Sequence, residues 1–376
     1  MRILDVAEFY SHQGGGVRTY IEQKFAAAKA AGHQLCVVAP GSCDRTDIMA
    51  GGKLMWVKAP AIPMDRRYRL FWRPGAINEI VASERPDFIE GSSPWKGGWF
   101  AGRQSPAIAK ALVIHQDPVL SYPHTLLRGA FNATQIDALF AWFFRYFRRL
   151  QDLYDTSVVA SPWLAARLSS LGMRAPEIVP FGVDQSAFTG AARSESLRKA
   201  MLAECGLSEP DARLLITVGR HHPEKRLPMM IDAFDSASSV RPIGLYIVGD
   251  GPSRRSIEKL ASKIRGVYVA GFVHERARLA TMLASADAYI HACPSETFGM
   301  VIAEAMAAGL PLILPAAGGA VDLAPRNCAE FYEPDNADDC AGAIIRLLSR
   351  DQSALRAAVL RSAAALSSTA DHFSRL

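Results

Sequence analysis

Apolar and polar positions follow two alternating rhythms along the chain. Runs of four or five consecutive apolar residues, the length of a strand covered on both faces, are separated by stretches in which apolar residues return every three or four positions, as on a helix facing a core. The first 40 residues give one such repeat: a strand at Ile3–Ala7, a glycine-rich loop at Gly14–Gly16, a helix at Val17–Ala30 with Gly32 at its C-cap, and a strand at Leu35–Val38. Apolar runs at Ala111–Ile114 and Ser157–Ala160 follow, and Glu177–Asp184 reads as a strand running into a turn. Beyond it the alternation restarts, with strands predicted at Leu214–Val218, Gly244–Val248, Val267–Ala270, Ala288–His291 and Pro311–Leu314. Helices are predicted at Pro228–Phe234, Ser253–Lys263, Arg276–Ser285 and Val301–Ala308, before an alanine-rich helical stretch at Ala341–Leu366.

Strands separated by helices imply parallel sheets covered on both faces, and two such series imply two doubly wound α/β domains. The expected division is an N-terminal domain at 1–182, a C-terminal domain at 183–355, and a helical tail at 356–376 that packs back on the first domain. Ligand loops of such sheets gather at the carboxyl ends of the strands, so a site is expected in a cleft between the domains.

The formal charge of +5 is small for 376 residues, but it is unevenly placed. Residues 1–180 hold 21 Lys and Arg against 15 Asp and Glu, whereas the rest hold 21 against 22. All six Trp lie in that basic half. The six Cys form no CxxC pair and fall mostly in apolar runs, which points to a reduced, cytoplasmic protein. The opening MRILDVAEFY lacks a basic segment followed by a long apolar one, so no signal peptide is expected, and no apolar run reaches the ~20 residues of a membrane span.

Several chemistries are disfavoured. GGGVRT and GDGPSR both lack the third glycine of a dinucleotide fingerprint, and no phosphate-binding GxxxxGK[ST], HExxH, GxSxG or Asp-any-Asp pair is present. No cofactor and no metal are therefore expected.

What remains is CPSETFGMVIAEAMAAGLPLI, in which Glu296 stands in a loop and Glu304 eight positions on, inside the helix that follows. The turn into that helix at Phe298, Gly299, Met300 and Val301 offers unpaired backbone N–H groups and the positive end of the helix dipole, which suit a phosphate. Glu304 can accept from a ribose diol and Glu296 from sugar hydroxyls. In VGRHHPEKR a strand ends at Gly219 and is followed by Arg220, Lys225 and Arg226. Alone, such a loop is a solvated basic face; beside the helix terminus, Arg220 and Lys225 can neutralise a leaving diphosphate without a metal.

These motifs, with GGGVRTY, the GVD linker, IVGDGP and GFVHERARL, resemble the retaining, nucleotide-sugar-dependent glycosyltransferases of family 4, which have the GT-B fold of two Rossmann-like domains facing across a cleft. The resemblance spans residues 14 to 319. It implies that Arg220 and Lys225 bind the donor diphosphate, that Glu304 holds the ribose, and that Glu296 with the backbone at Phe298–Met300 holds the transferred sugar. It further implies that Gly271, Phe272, Val273 and His274 border the nucleobase, and that Gly15 and Gly16 let the backbone approach the phosphate and acceptor. His115 matches the family's histidine near the reacting carbon. Family members retain configuration by reacting on one face, the leaving phosphate taking the acceptor proton, so no residue is assigned as catalytic base; Asp117 is a candidate acid or base on the acceptor side.

Two segments combine arginine with large aromatics: Asp65–Gly75, with Arg66, Arg67, Arg69 and Trp72, and Ile136–Tyr154, where Arg145, Arg148 and Arg149 share one helical face. They read as peripheral contacts with an anionic membrane, or else as a solvated loop and a core helix with a basic outer stripe. The expectation is a cytoplasmic enzyme at the inner face of the cytoplasmic membrane. It would move a hexose or hexuronic acid from a nucleotide diphosphate sugar, UDP-linked in preference, to a diacylglycerol, ceramide or polyprenyl-linked acceptor. The alternatives are a GDP-mannose-dependent mannosyltransferase, a transferase to a soluble sugar acceptor, and a non-catalytic nucleic-acid or sugar-nucleotide binder; nucleic acid is not expected as a partner.

Overall fold

The computed structural model describes residues 1–11, 16–62 and 65–376, with backbone alone for residues 65–67. They form two compact units, residues 1–180 with 369–376, and residues 181–368. Gly14 and Gly15 of the first loop lie outside the described residues, as do the side chains of Arg66 and Arg67.

The first unit runs β1 (Arg2–Val6), α1 (Gly16–Ala30), β2 (Gln34–Gly41), β3 (Arg45–Met49), β4 (Gly52–Lys58), β5 (Ala61–Ile62), β6 (Asp65–Arg69) and α2 (Pro74–Glu84). It continues with β7 (Phe88–Gly91), α3 (Lys96–Gly102), β8 (Ala109–Ile114), α4 (Thr125–Leu127), α5 (Ala133–Leu139), α6 (Ala141–Gln151), β9 (Thr156–Val159), α7 (Pro162–Ser170) and β10 (Glu177–Ile178). Eight strands lie in the order β10, β9, β8, β7, β1, β2, β4, β3, parallel except for β3 on β4. The order reverses between β1 and β7, where Ile3 pairs with Phe88, so the loops after these two strands leave the sheet in opposite directions.

The arginine- and aromatic-rich segment at 65–75 is not a loop throughout. Its start is β6, paired antiparallel with β5, and Phe71 is fully buried, its N–H donating to Glu8 Oε1 at 2.9 Å. In α6 the aromatic side turns inward, with Phe143, Phe144, Phe147 and Leu150 in the core.

Beneath the switch point α1 delivers a buried cation. Lys24 Nζ donates to Asp5 Oδ2 at 2.7 Å and lies 2.5 Å from Glu90 Oε2, and Ser92 Oγ bonds both carboxylates at 2.8 and 3.1 Å. Burial opposes the Lys24 charge, but Asp5 and Glu90 more than offset it and hold the ammonium protonated; burial pushes Glu90 up.

The second unit runs α8 (Glu195–Glu204), β11 (Arg213–Val218), α9 (Leu227–Ser238), β12 (Ile243–Val248), α10 (Arg254–Ala261), β13 (Val267–Gly271) and α11 (Arg276–Ser285). Then come β14 (Ala288–Ile290), α12 (Met300–Ala307), β15 (Leu312–Pro315), α13 (Ala320–Leu323), β16 (Ala329–Tyr332), α14 (Ala337–Ser349) and α15 (Gln352–Ala363). Its six parallel strands take the order β13, β12, β11, β14, β15, β16, the doubly wound arrangement with its switch between β11 and β14. The alanine-rich stretch predicted as continuous is two helices. Arg350 is extended, and Asp351 restarts the helix by accepting from the N–H groups of Ser353 and Ala354 at 2.9 and 3.2 Å.

Of the C-terminal segment, α15 stays with the second unit, and only α16 (Thr369–Arg375) belongs to the first. There His372 is buried. Its Nδ1 donates to Pro180 O at 2.9 Å, which leaves Nε2 to accept from the Tyr20 hydroxyl at 3.3 Å, and Tyr20 in turn meets the His115 ring edge-on at 5.0 Å.

Two outcomes test this packing. Lys24→Met leaves two buried carboxylates without their cation and should cost the first unit about 3–5 kcal/mol in denaturant unfolding, far more than an exposed lysine would. Burial also holds His115 and His372 down to about 4, with Asp5 opposing at His115, the carbonyl of Pro180 opposing at His372, and Lys24 reinforcing both. Between pH 6.5 and 4 the unfolded chain therefore binds protons that the folded one refuses. Each histidine's contribution is whole above pH 6.5 and is lost as pH falls towards 4, about 3 kcal/mol for a shift of this size. Glu90 works in the opposite sense, so the histidine contribution is read as the difference in acid sensitivity between wild type and His372→Gln.

Candidate functional site

The loops after β11 and β14 emerge side by side at the switch point of the second unit, and they bring the predicted charges together. After β11 the chain passes Gly219 and Arg220, makes a single 3₁₀ turn at Pro223–Lys225, and enters α9. After β14 it passes His291 and Cys293 to Glu296 and turns into α12 at Gly299. Lys225 Nζ donates to Glu296 Oε2 at 2.9 Å across the 71 residues between them. Arg220, Lys225 and His291 line one cavity of about 10 Å³, room for about one water molecule.

The pair is deeply set. Burial works against the ammonium of Lys225, but Cys293 and Glu296 hold it well above the ordinary lysine value. Glu296 is held far below the usual carboxylate range: burial opposes its charge, and Lys225 and His291 overcome that. His291 Nε2 lies 3.4 Å from Glu296 Oε2, and the His291 carbonyl accepts from Tyr332 OH at 2.7 Å, which fixes the histidine behind the carboxylate.

His291, Cys293 and Glu296 are also the one trio among the described residues with metal-ligand chemistry, their ligand atoms within 4.8 Å of one another. Glu296 is already bonded to the Lys225 ammonium, the cation the carboxylate holds in this structure.

The loop carrying Glu296 is wrapped by the one after β15. Gly319 N–H donates to Glu296 O at 2.6 Å, and a Cβ at Gly319 would stand 2.2 Å from Thr297 O, so only glycine fits. Phe298 is buried edge-on to Phe181 at 5.3 Å, and Gly299, at φ +93°, turns the chain so that Met300 and Val301 open α12.

Glu304 is buried within α12, and its Oε1 accepts from Arg276 Nη2 at 2.8 Å. Burial pushes the Glu304 carboxyl up, and Arg276 draws it back. Gly271 ends β13, followed by Phe272, whose exposed ring meets His274 edge-on at 4.8 Å.

Two polar residues of the strand-end loops are engaged with partners distant in sequence. Arg226 does not join the diphosphate cations: its backbone is left-handed at φ +51°, and its buried side chain pairs with Asp335 at 2.9 Å and donates to Pro223 O. Asp117 is engaged on both of its oxygens. It is fully buried, one oxygen accepts from the N–H groups of Val119 and Leu120, and the other accepts from Arg167 Nε at 2.9 Å, so both are committed to shaping the turn after β8.

In the first unit His115 stands at the carboxyl end of β8, its ring against Tyr20, and Gly16 is the first residue of α1. At the carboxyl end of β1, buried Glu8 accepts from Phe71 N–H, Ser93 Oγ and Gly97 N–H, and burial raises it above the usual carboxylate value. Sequence reading passed over Glu8, His291, Arg276 and Gly318–Gly319. The signal for His291 was a polar residue directly after an apolar strand, the same signal as at His115; for the glycines it was a pair placed after β15.

Comparison with known proteins assigns each unit separately. A family model described as Glycosyltransferase Family 4 matches residues 14–187, and one described as Glycosyl transferases group 1 matches residues 212–350. The chain is 29% identical over 323 residues to a GDP-mannose-dependent alpha-(1-6)-phosphatidylinositol dimannoside mannosyltransferase of Mycobacterium tuberculosis, covering 84% of this chain and 79% of that protein. It is 29% identical over 282 residues to a sulfoquinovosyl transferase of Arabidopsis thaliana, covering 73% of this chain and 52% of the relative. Among solved structures, a sucrose-phosphate synthase from Thermosynechococcus elongatus shares the fold, with a TM-score of 0.78 at 20% identity, covering 100% of this chain and 96% of that one. With a family model matched on each of its two Rossmann-like units and GT-B enzymes among its structural neighbours, the chain belongs to the group 1, family 4 glycosyltransferases.

Proposed function

We propose that this glycosyltransferase moves mannose from GDP-mannose to a lipid-linked acceptor, with retention at the anomeric carbon and with Arg220 and Lys225 in the place of a metal. The observation that carries the reading is the Lys225–Glu296 pair at the switch point of the second unit, beside Arg220. The UDP-sugar expectation gives way to GDP-mannose because the mycobacterial relatives, at 28–29% identity, are named for that donor.

In this reading the donor diphosphate lies against Arg220, Lys225 and the backbone N–H groups at Phe298–Val301, with the ribose at Glu304, the sugar hydroxyls at Glu296 and the base along Gly271–Val273. The acceptor oxygen bonds to the anomeric carbon as the bond to the β-phosphate oxygen breaks. The electron pair and the acceptor's proton both pass to that phosphate oxygen, so no side chain has to titrate. His115, held down to about 4 by burial, is neutral at pH 7 and keeps the role that its resemblance to the family histidine implies.

A membrane acceptor is supported by the phosphatidylinositol dimannoside named for one relative and by exposed apolar side chains on the first unit, Trp72, Leu126, Leu139 and Trp142. Lys96 Nζ lies 3.7 Å over the Trp72 ring, and Arg69 donates to Ala59 O at 2.6 Å. No helix among the described residues is long and apolar enough to cross a membrane. The chain is accordingly proposed to act at the cytoplasmic face, held peripherally.

Two measurements decide. Lys225→Ala and Glu296→Gln, each with its circular dichroism spectrum unchanged, should lower kcat by ~10²–10³, the cost of removing one group that stabilises developing charge; turnover that survives both would reduce the pair to a structural ion pair. In a thermal-shift panel of GDP, UDP, ADP and their sugars, the true donor at a hundredfold its Kd should add ~2.7 kcal/mol, roughly 5–10 °C for a unit of this size. The largest shift should be with GDP-mannose, and a larger one with a UDP-sugar would return the donor to the first expectation.

A further inference from the structure

The basic stripe of α6 meets a further arginine from a neighbouring loop at the surface of the first unit. Arg145, Arg148 and Arg149 share a cavity of about 580 Å³ with Arg174, from the loop between α7 and β10, and with a single acid, Asp152. It is an open depression: Arg145, Arg149, Asp152 and Arg174 are exposed and Arg148 is half-buried, so a ligand held there stays in contact with solvent.

The cavity is at the edge of the sheet where strands begin. α6 ends at Gln151 just before β9, and Arg174 stands just before β10, whereas His115 follows the far end of β8, which runs parallel to β9. At about 3.3 Å per residue, the six residues of β8 separate the two edges by about 20 Å.

Two of the four guanidiniums are fixed in place. Arg148 Nη1 donates to Leu171 O at 2.8 Å, and Arg174 Nη2 donates to Tyr154 O at 2.9 Å. Gln151, itself buried, staples the loop to α6: its Oε1 accepts from Arg174 N–H at 2.9 Å, and its Nε2 donates to Arg174 O at 2.7 Å. Gly172 closes the turn at φ +80°, where a Cβ would meet Arg148 Nη1 at 3.1 Å. Arg145 and Arg149, by contrast, have no hydrogen-bond or ion-pair partner among the described residues and keep all their donors available.

We infer that this cavity is a binding site for a phosphate ester, separate from the donor site. Four cations against one carboxylate leave three charges uncompensated, and a tetrahedral dianion with three acceptor oxygens supplies both the charge and the fork-shaped partners that guanidinium groups require. The ligand is the phosphate of a lipid headgroup or of a soluble phosphorylated molecule. The site rests on the first unit alone and does not depend on which nucleotide sugar the second unit takes.

The test uses the full chain carrying Arg220→Ala and Lys225→Ala, so that the donor-site cations do not compete for the probe. Pyrophosphate is titrated calorimetrically at low salt, and vesicles of phosphatidylcholine with or without phosphatidic acid are used in flotation. Adding Arg145→Gln and Arg149→Gln, two unpartnered side chains whose loss leaves the melting temperature unchanged, should weaken the bound probe about 100-fold. Loss of pyrophosphate binding assigns a soluble phosphate; loss of flotation with phosphatidic acid, where pyrophosphate never bound, assigns a lipid headgroup. Binding of neither probe, or equal binding with and without the two substitutions, would overturn the site.

Discussion

Parallel strands cannot be joined by a tight turn, so each must hand the chain to a crossover that returns over one face of the sheet. Everything functional in this chain follows from that constraint. A sheet built in both directions from its first strand has one place where neighbouring strands send their loops to opposite faces, and there the carboxyl ends stand uncovered. In the second unit that place lies between β11 and β14, and it carries Arg220, Lys225, His291 and Glu296. In the first it lies between β1 and β7, and it carries Glu8 and Ser93.

Charge at such a point has to be balanced locally because the sheets are dry on both sides. The two units solve this alike, with a lysine brought to acids on other elements: Lys24 from α1 to Asp5 and Glu90, and Lys225 from the turn before α9 to Glu296. Breaking either pair is costly since the surviving charge stays buried. The difference lies in access. Lys24 is sealed beneath its sheet, whereas Lys225 borders a water-sized cavity beside Arg220.

The sequence was legible wherever the chain's own pattern carried the information. Strands such as β11 and β12 are unbroken apolar runs, and a run of that kind has few other fates. That Glu296 and Lys225 come together was readable because strand ends place their loops. What could not be read depended on partners distant in sequence. Asp117 is held by Arg167, 50 positions on, and Arg226 by Asp335, 109 positions on. The hairpin of β3 and β4 was missed because its polar edge strand, RTDIM, lacks the continuous apolar run of a central one. The break at Asp351 was a capping signal inside an otherwise uniform helical composition. The convergence of Arg145, Arg148 and Arg149 on Arg174 needed the α7 to β10 loop, which no periodicity within α6 foretells.

The return of α16 to the first unit has a consequence for how the chain comes into being. The first unit is discontinuous in sequence: His372, which meets Tyr20 and Pro180, is made only after the whole of residues 181–368. During synthesis the second unit, continuous and complete, can fold as soon as it emerges, while the first waits with the pocket around Tyr20 unfilled until the last helix arrives. The packing around Tyr20 is therefore completed only after the second unit has been made, although most of the first unit precedes it in translation.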